Sequence, residues 1–356
     1  MEKVRLGDIC VKQSSKLAQK DLENMDGSYP IFGASGLIKK INTYDQKAEY
    51  VAVVKDGAGV GRTMLLPAYS SVIGTLQYLI PNDNVNAKYL YYAVKSRHLE
   101  KYYTGSAIPH IYFKDYKSEP IILFDRIAQK KIVLVLERVE KIIEKQKQQL
   151  EMLDTLIKAR FIEMFGDQKA NPFEWPQTTI GDCCILKSGT SLPADKENEG
   201  GAIPYVKVGD MNYPGNEQYI TTSSRFVTEQ TARAGIFPAG TVIFPKRGGA
   251  IGTNKKRLTT LPICADLNVM GVTAGSALKS QYLMAYFNMV DLGALDNGSS
   301  VPQINNKDIA PLVICLPPLE LQEQFAVFAE QVDKSKVIAL FFLKSKQNIH
   351  IKMQKI

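Results

Sequence analysis

Lys246-Arg247 and Lys255-Lys256-Arg257 place five cations in one short stretch, on either side of the run Gly248-Gly249-Ala250-Ile251-Gly252. Cations neutralise phosphates, and glycine lets a backbone amide come close to a phosphate oxygen, so this combination suits a nucleic-acid backbone. Further on, Gln303, Asn305, Asn306 and Lys307 supply the amide donors and acceptors that read base edges in a groove. The N-terminal part of the chain carries a parallel set around Gly57-Ala58-Gly59-Val60-Gly61: Lys39, Lys40, Lys55, Arg62, His110, Tyr112 and Lys114. The expectation is that Gln303, Asn305 and Asn306 read bases while the basic residues mainly position the duplex.

Other chemistries find less support. Three scattered histidines (His98, His110 and His350) give little basis for zinc or histidine acid–base catalysis. Gly57 to Gly61 is not the GxGxxG dinucleotide fingerprint, and no Walker phosphate loop occurs. Asn171-Pro172-Phe173 matches half of an amino-methyltransferase motif, but it lies where a turn is expected. Five cysteines with no CxxC pair point to a reducing compartment, the cytoplasm. The longest apolar run, Val337 to Leu343, is far short of the ~20 residues that span a bilayer, so no membrane association is expected. The first residues, MEKVRLGDICVKQ, contain no apolar stretch of the signal-peptide kind. A net charge of +8 over 356 residues permits nucleic-acid binding without requiring it.

The elements that position these residues are built twice. Leu6-Gly7-Asp8-Ile9-Cys10 returns as Ile180-Gly181-Asp182-Cys183-Cys184, an offset of 174. Lys55 to Gly61 returns as Lys246 to Gly252, an offset of 191. Tyr89-Leu90, and Gly105 to Ile111 with Lys114-Asp115, return 193 positions on, as Tyr282-Leu283 and as Gly298 to Ile304 with Lys307-Asp308. The offset grows and then holds, so the second copy has extra residues between Cys184 and Lys246. In each copy the short β-rich runs Tyr50–Val54, Leu76–Pro81, Thr241–Phe244 and Leu267–Val272 predict strands, while Ala87–Lys101 and Lys279–Val290 predict helices.

Each copy ends in a long helix. From Arg126 to Phe165 there is no glycine or proline, and positions at alternating steps of three and four are mostly apolar: Leu136, Val139, Ile143, Leu150, Leu153 and Ile157, with Gln146 between Ile143 and Leu150. That is a coiled-coil seam on a helix about 60 Å long. Gly166, Pro172 and Pro176 then mark a hinge. Leu319 to Ile356 forms the second helix, with Phe325, Phe328 and Val332 on its seam, but Lys336, Lys346 and His350 stand where apolar residues would. The two helices are expected to pair. The predicted order is a domain over 1–125, a helix over 126–167, a domain over 168–318 and a helix over 319–356.

Val4 to Asp8, Tyr29 to Ile38, Gly57 to Gly61, Leu156 to Asp167 and Leu316 to Gln324, taken in order with the duplication and the two helices, cover nearly the whole chain. In these segments it resembles the DNA-specificity subunit of type I restriction-modification systems. The resemblance implies an α/β (α+β) fold: two similar target-recognition domains joined by two long antiparallel coiled-coil helices, with a pseudo-twofold relation. It implies a noncatalytic subunit reading double-stranded DNA at a split, asymmetric site. Two methyltransferase subunits and translocating restriction subunits would dock on it. S-adenosylmethionine, ATP and magnesium would belong to those partners, and none to this chain. Two departures stand out. Phe124-Asp125-Arg126 replaces the Pro317-Pro318-Leu319 break before the helix, and the last helix lacks a counterpart of Met164 to Asp167, as a truncated or variant allele would. Modularity predicts that exchanging residues 172–318 for a relative's domain alters one half-site. The competing readings are a nuclease or methyltransferase with a cryptic site, and a coiled-coil protein-assembly module.

Overall fold

In the first domain, Tyr50–Val54 is an apolar run short enough for a strand and apolar at every position, which requires burial on both faces. The computed structural model describes residues 1–105, 109–295 and 301–354, with side chains through residue 347. The repeat-block residues Ser106 to Ile108 and Gly298 to Ser300, and the side chain of His350, lie outside the described residues. The chain divides into two compact units, Met1–Gln148 with Ala339–Ile356, and Gln149–Ile338. Both long helices contribute residues to each unit.

In the first unit, Tyr50–Val54 is central in an antiparallel sheet, between Leu76–Pro81 and Thr63–Leu66, and Cys10–Ser14 forms the edge beyond Leu76–Pro81. Val51 and Val53 enter one core with Leu79, Tyr89 and Leu90, while Tyr50, Ala52 and Val54 enter another with Ile31, Ile41 and Tyr78. The period-two alternation of a strand thus joins two apolar layers. Glu2–Arg5 pairs with Pro120–Leu123, bringing the start of the domain against its end. The helix expected over Ala87–Lys101 spans Ala87–Lys95, because His98 takes a left-handed φ of 52° and interrupts it.

The second unit repeats this order. Cys184–Ser188, Val269–Ala274, Thr241–Pro245 and Arg257–Thr259 lie side by side, and the sheet gains Tyr219–Ile220 from the extra residues of the second copy. Val242 and Phe244 face one core and Ile243 another, as in the first domain. The strand expected over Leu267–Val272 starts later, at Val269, because Asn268 folds back on the Asp266 side chain through its amide at 3.0 Å and its Nδ2 at 2.8 Å. Ser280–Met289 is the matching helix.

One buried glutamine in each copy sets the long helix against its domain. Gln129 and Gln322 are both fully buried. Gln129 Oε1 accepts the Asn86 amide at 2.7 Å, and its Nε2 donates to Asn84 O at 3.0 Å and Phe124 O at 2.8 Å. Gln322 Oε1 accepts the Lys279 amide at 2.9 Å, and its Nε2 donates to Ala277 O at 3.0 Å and Pro317 O at 2.9 Å. Every partner obeys the offset of 193. The first helix begins at Arg126 without a proline break, since the Asp125 side chain caps it by accepting from Ala128 N at 2.8 Å.

The long helices are Arg126–Phe165 and Leu319–Gln354. On the first, Val139, Ile143, Leu150, Leu153 and Ile157 are half-buried, while Ile142, Met152 and Leu156 off the seam are exposed. Leu136 belongs to the core of the first domain, with Val133, so its apolar surface is covered by that domain. Within the second unit the helices pair in antiparallel sense. The Phe161 ring lies 5.4 Å from Phe325, and Lys336 Nζ reaches Asp154 at 2.6 Å. The second helix differs in detail from expectation. Its seam buries Phe325, Ala329, Val332, Lys336, Ala339 and Leu343, and Gln322, Ala326 and Asp333 are buried beside it. Phe328 sits beside them, half-buried, with the Arg160 guanidinium 5.8 Å over its ring. Ala329 is buried in the same core as the Phe161–Phe165–Phe325 cluster. Lys336 is tolerated on the seam because Asp154 and Asp333, the latter at 3.2 Å, supply its counter-charges. Asp333 also accepts from Gln218 and the Tyr219 hydroxyl. Burial and that carboxylate push the Tyr219 hydroxyl upward, so it stays a donor.

Candidate nucleic-acid interface

The two glycine loops are held in the same way in both domains. In the first, Gly57 N donates to Pro109 O at 2.9 Å and Ile111 N to Lys55 O at 2.9 Å. In the second, Gly248 N donates to Pro302 O at 2.8 Å and Ile304 N to Lys246 O at 2.9 Å. Asp56 bridges His110, and Arg247 bridges Gln303, as antiparallel partners. Segments far apart in sequence therefore meet in one frame, built twice, on which different side chains stand.

On the first frame, Lys55 Nζ lies 2.9 Å from Asp56, and His110 Nδ1 lies 3.4 Å from the same carboxylate. The His110 and Tyr112 rings are 5.2 Å apart, and Lys114 Nζ stands 5.3 Å from the Tyr112 ring. Arg62 Nη1 donates to Ala34 O at 2.9 Å, tying the loop to the turn that precedes the strand carrying Lys39 and Lys40. Lys40 is exposed, whereas Lys39 is half-buried between Asp26 at 2.7 Å and Leu22 O at 3.0 Å. Asp56 carries no expectation from sequence, yet it organises this group.

On the second frame, Arg247 is exposed and its Nη2 reaches Gln303 Oε1 at 3.4 Å, while Gln303 Nε2 donates to Asn305 Oδ1 at 2.8 Å. Asn306 and Lys307 are exposed at the start of the short helix Asn306–Ile309. Lys246 is half-buried on Ser188 Oγ at 2.9 Å, and that burial lowers its ammonium pKa. The tightest predicted cluster is the one that changes most. Lys255 turns to Asn212 Oδ1. Lys256 is buried and donates to Val290 O at 2.6 Å and Asn254 Oδ1 at 2.7 Å. Arg257 donates to Asn216 O at 2.8 Å and Lys256 O at 2.8 Å. Lys256 and Arg257 thus satisfy internal carbonyls, and buried Lys256 offers no surface to a polymer.

Burial brings the Lys256 ammonium down to about 8. The unfolded chain keeps that proton to about pH 10.4. Between these values the unfolded state binds more protons, so this group makes stability rise with pH. In denaturant titrations, wild type minus Lys256→Met unfolding free energy is expected to increase from pH 8 to pH 10. A difference independent of pH would contradict this placement.

The half-motif at Asn171 is a turn. Asn171 takes φ 42°, accepts from Trp175 N at 2.9 Å and donates to Trp175 O at 2.9 Å. No helix among the described residues is long and apolar enough to cross a membrane.

The model of the type I restriction modification DNA specificity domain matches residues 1–152 and again residues 172–340. The chain belongs to this family. The type I restriction enzyme MjaIX specificity subunit of Methanocaldococcus jannaschii is 24% identical over 274 residues, covering 69% of this chain. The match spans 62% of the length of that relative. The crystal structure of the type I restriction-modification system S subunit from M. genitalium superposes with a TM-score of 0.61 at 17% identity, covering 99% of this chain and 95% of that one. A chain from a structural study of complex assembly and conformational transition of the type I R-M system gives a TM-score of 0.57 at 15% identity, covering 99% and 96%. The chain thus has two regions matching the specificity domain and two long helices.

Proposed function

We propose that this chain is the noncatalytic DNA-reading subunit of a type I restriction-modification complex and reads a bipartite, asymmetric site. The observation that carries the reading is the loop frame built twice with unlike side chains: Asp56 and His110 in one domain, Arg247 and Gln303 in the other. A shared frame fits one kind of polymer, and different hydrogen-bonding groups on it fit two different half-sites. Lys40, Lys55, Arg62, His110, Tyr112 and Lys114 face the first half-site. Arg247, Gln303, Asn305, Asn306 and Lys307 face the second, with Lys246 and Lys255 at its margin. The paired long helices serve as spacer and scaffold. Two methyltransferase subunits and the restriction subunits supply the chemistry, together with S-adenosylmethionine, ATP and magnesium, in the cytoplasm.

Footprinting with the methyltransferase partner is expected to show two protected tracts flanking an unprotected spacer. Association is expected to weaken steeply with salt, since each neutralised phosphate releases condensed counterions. One continuous short tract, or methyl transfer or cleavage by this chain alone, would overturn the reading. Absence of DNA affinity even with the partner present would favour an assembly module.

A further inference from the structure

We infer that each glycine loop takes one DNA phosphate on a pair of consecutive backbone amides, Ala58 with Gly59 and Gly249 with Ala250, and that the second loop is the site of closer approach. This rests on the DNA-reading function proposed above and assigns it to particular atoms.

The loops leave these amides over. In the first, Gly57 N, Val60 N, Gly61 N and Arg62 N donate to Pro109, Gly57, Val54 and Gly59. In the second, Gly248 N, Ile251 N and Thr253 N donate to Pro302, Gly248 and Ala250. Among the described residues, no protein acceptor takes the amides of Ala58, Gly59, Gly249 or Ala250. The two pairs correspond at the offset of 191. Consecutive amides at a loop tip form a concave donor site for an anion. A cation accompanies each pair. Arg62 Nη2 lies 2.9 Å from where a Cβ on Gly59 would stand, and exposed Arg247 immediately precedes Gly248 of the second loop. The Asp56 carboxylate beside the first loop is already countered by Lys55 at 2.9 Å and faces His110 at 3.4 Å.

The glycines separate the two loops. Gly61 has an internal reason to be glycine: its φ is 85°, and a Cβ there would stand 2.3 Å from Glu100 N. Its counterpart, Gly252, has neither reason. It is outside the left-handed region, and among the described residues a Cβ would meet nothing within 4 Å. Gly249 is the same, and its counterpart in the first loop is already an alanine, Ala58. Glycine without a folding reason costs chain entropy in the unfolded state. Here it leaves open the space that an approaching phosphodiester would occupy.

The test is the double variant Gly249→Ala/Gly252→Ala in the full chain with its methyltransferase partner. The probe is a duplex selected from a randomised pool by the wild-type complex. Affinity is expected to fall about tenfold, with a salt dependence shallower by about one phosphate contact, while Tm is unchanged or rises by roughly 1–3 °C. Gly61→Ala, by contrast, is expected to lower Tm. Wild-type affinity in the double variant overturns the inference, as does a weakened variant whose Tm also falls, since the glycines would then serve the fold. If the wild-type complex selects no bipartite duplex, the failure lies with the underlying function instead.

Discussion

A chimera carrying another family member's residues in place of 172–318 is expected to lose affinity for the second half-site by about a thousandfold, the low end of the gap between specific and nonspecific DNA binding. The same exchange extended to Phe161, Phe165 and Phe325 is expected to read the donor's second half-site and keep the first unchanged. The difference comes from an aromatic cluster that crosses the obvious cut. Phe161 stacks 5.0 Å from Tyr282, Phe165 lies 4.8 Å from it, and Phe325 stands 5.4 Å from Phe161. All four are buried in one core with Ile180, Phe244 and Phe287. Two of the rings come from the first long helix and one from the second, so a foreign domain meets a lid cut for another core. A mismatch at such a site costs about 3–5 kcal/mol as a cavity or about 1–3 kcal/mol as overpacking. Selection from a randomised duplex pool reads the outcome. Full affinity from the short exchange would remove the argument, and so would a change in both halves from the long one.

Gln322→Leu is expected to destabilise the second unit by about 3 kcal/mol. The buried amide makes three hydrogen bonds, and leucine leaves Lys279 N, Ala277 O and Pro317 O without that partner. Each buried polar group left unpaired costs about 1–3 kcal/mol, and relaxation keeps the sum below simple addition. Gln129→Leu is expected to do the same in the first unit, through Asn86, Asn84 and Phe124. Urea unfolding measures both. A loss below about 1 kcal/mol in either variant would show that the clip is dispensable.

Both expectations come from the duplication, which the sequence displays and the structure explains. The offset of 193 holds from the pair Asn84 and Ala277 to the pair Gln129 and Gln322 because it runs through backbone-mediated contacts: the glutamine clip, the domain helix, and the Pro109–Ile111 and Pro302–Ile304 side of the loop frame. Such contacts need the same residue at the same place, so they leave a trace in one chain read against itself. The seam of the first helix was legible for a similar reason, since a period of three and four is local.

The amino-acid sequence by itself determined the two-copy plan, the two long helices, the seam of the first and the glycine loops. Only the tertiary structure decided which cations reach the surface. Lys255, Lys256 and Arg257 read alike along the chain, yet Lys256 is drawn to Val290 O, 34 residues away, and Arg257 to Asn216 O, 41 residues away. It likewise put Ala329 in the packed position that Phe328 was expected to share, and gave Lys336 its carboxylates from both helices. A charge run fixes composition, but burial depends on which distant carbonyl or ring the fold brings beside each side chain, and no local pattern encodes that.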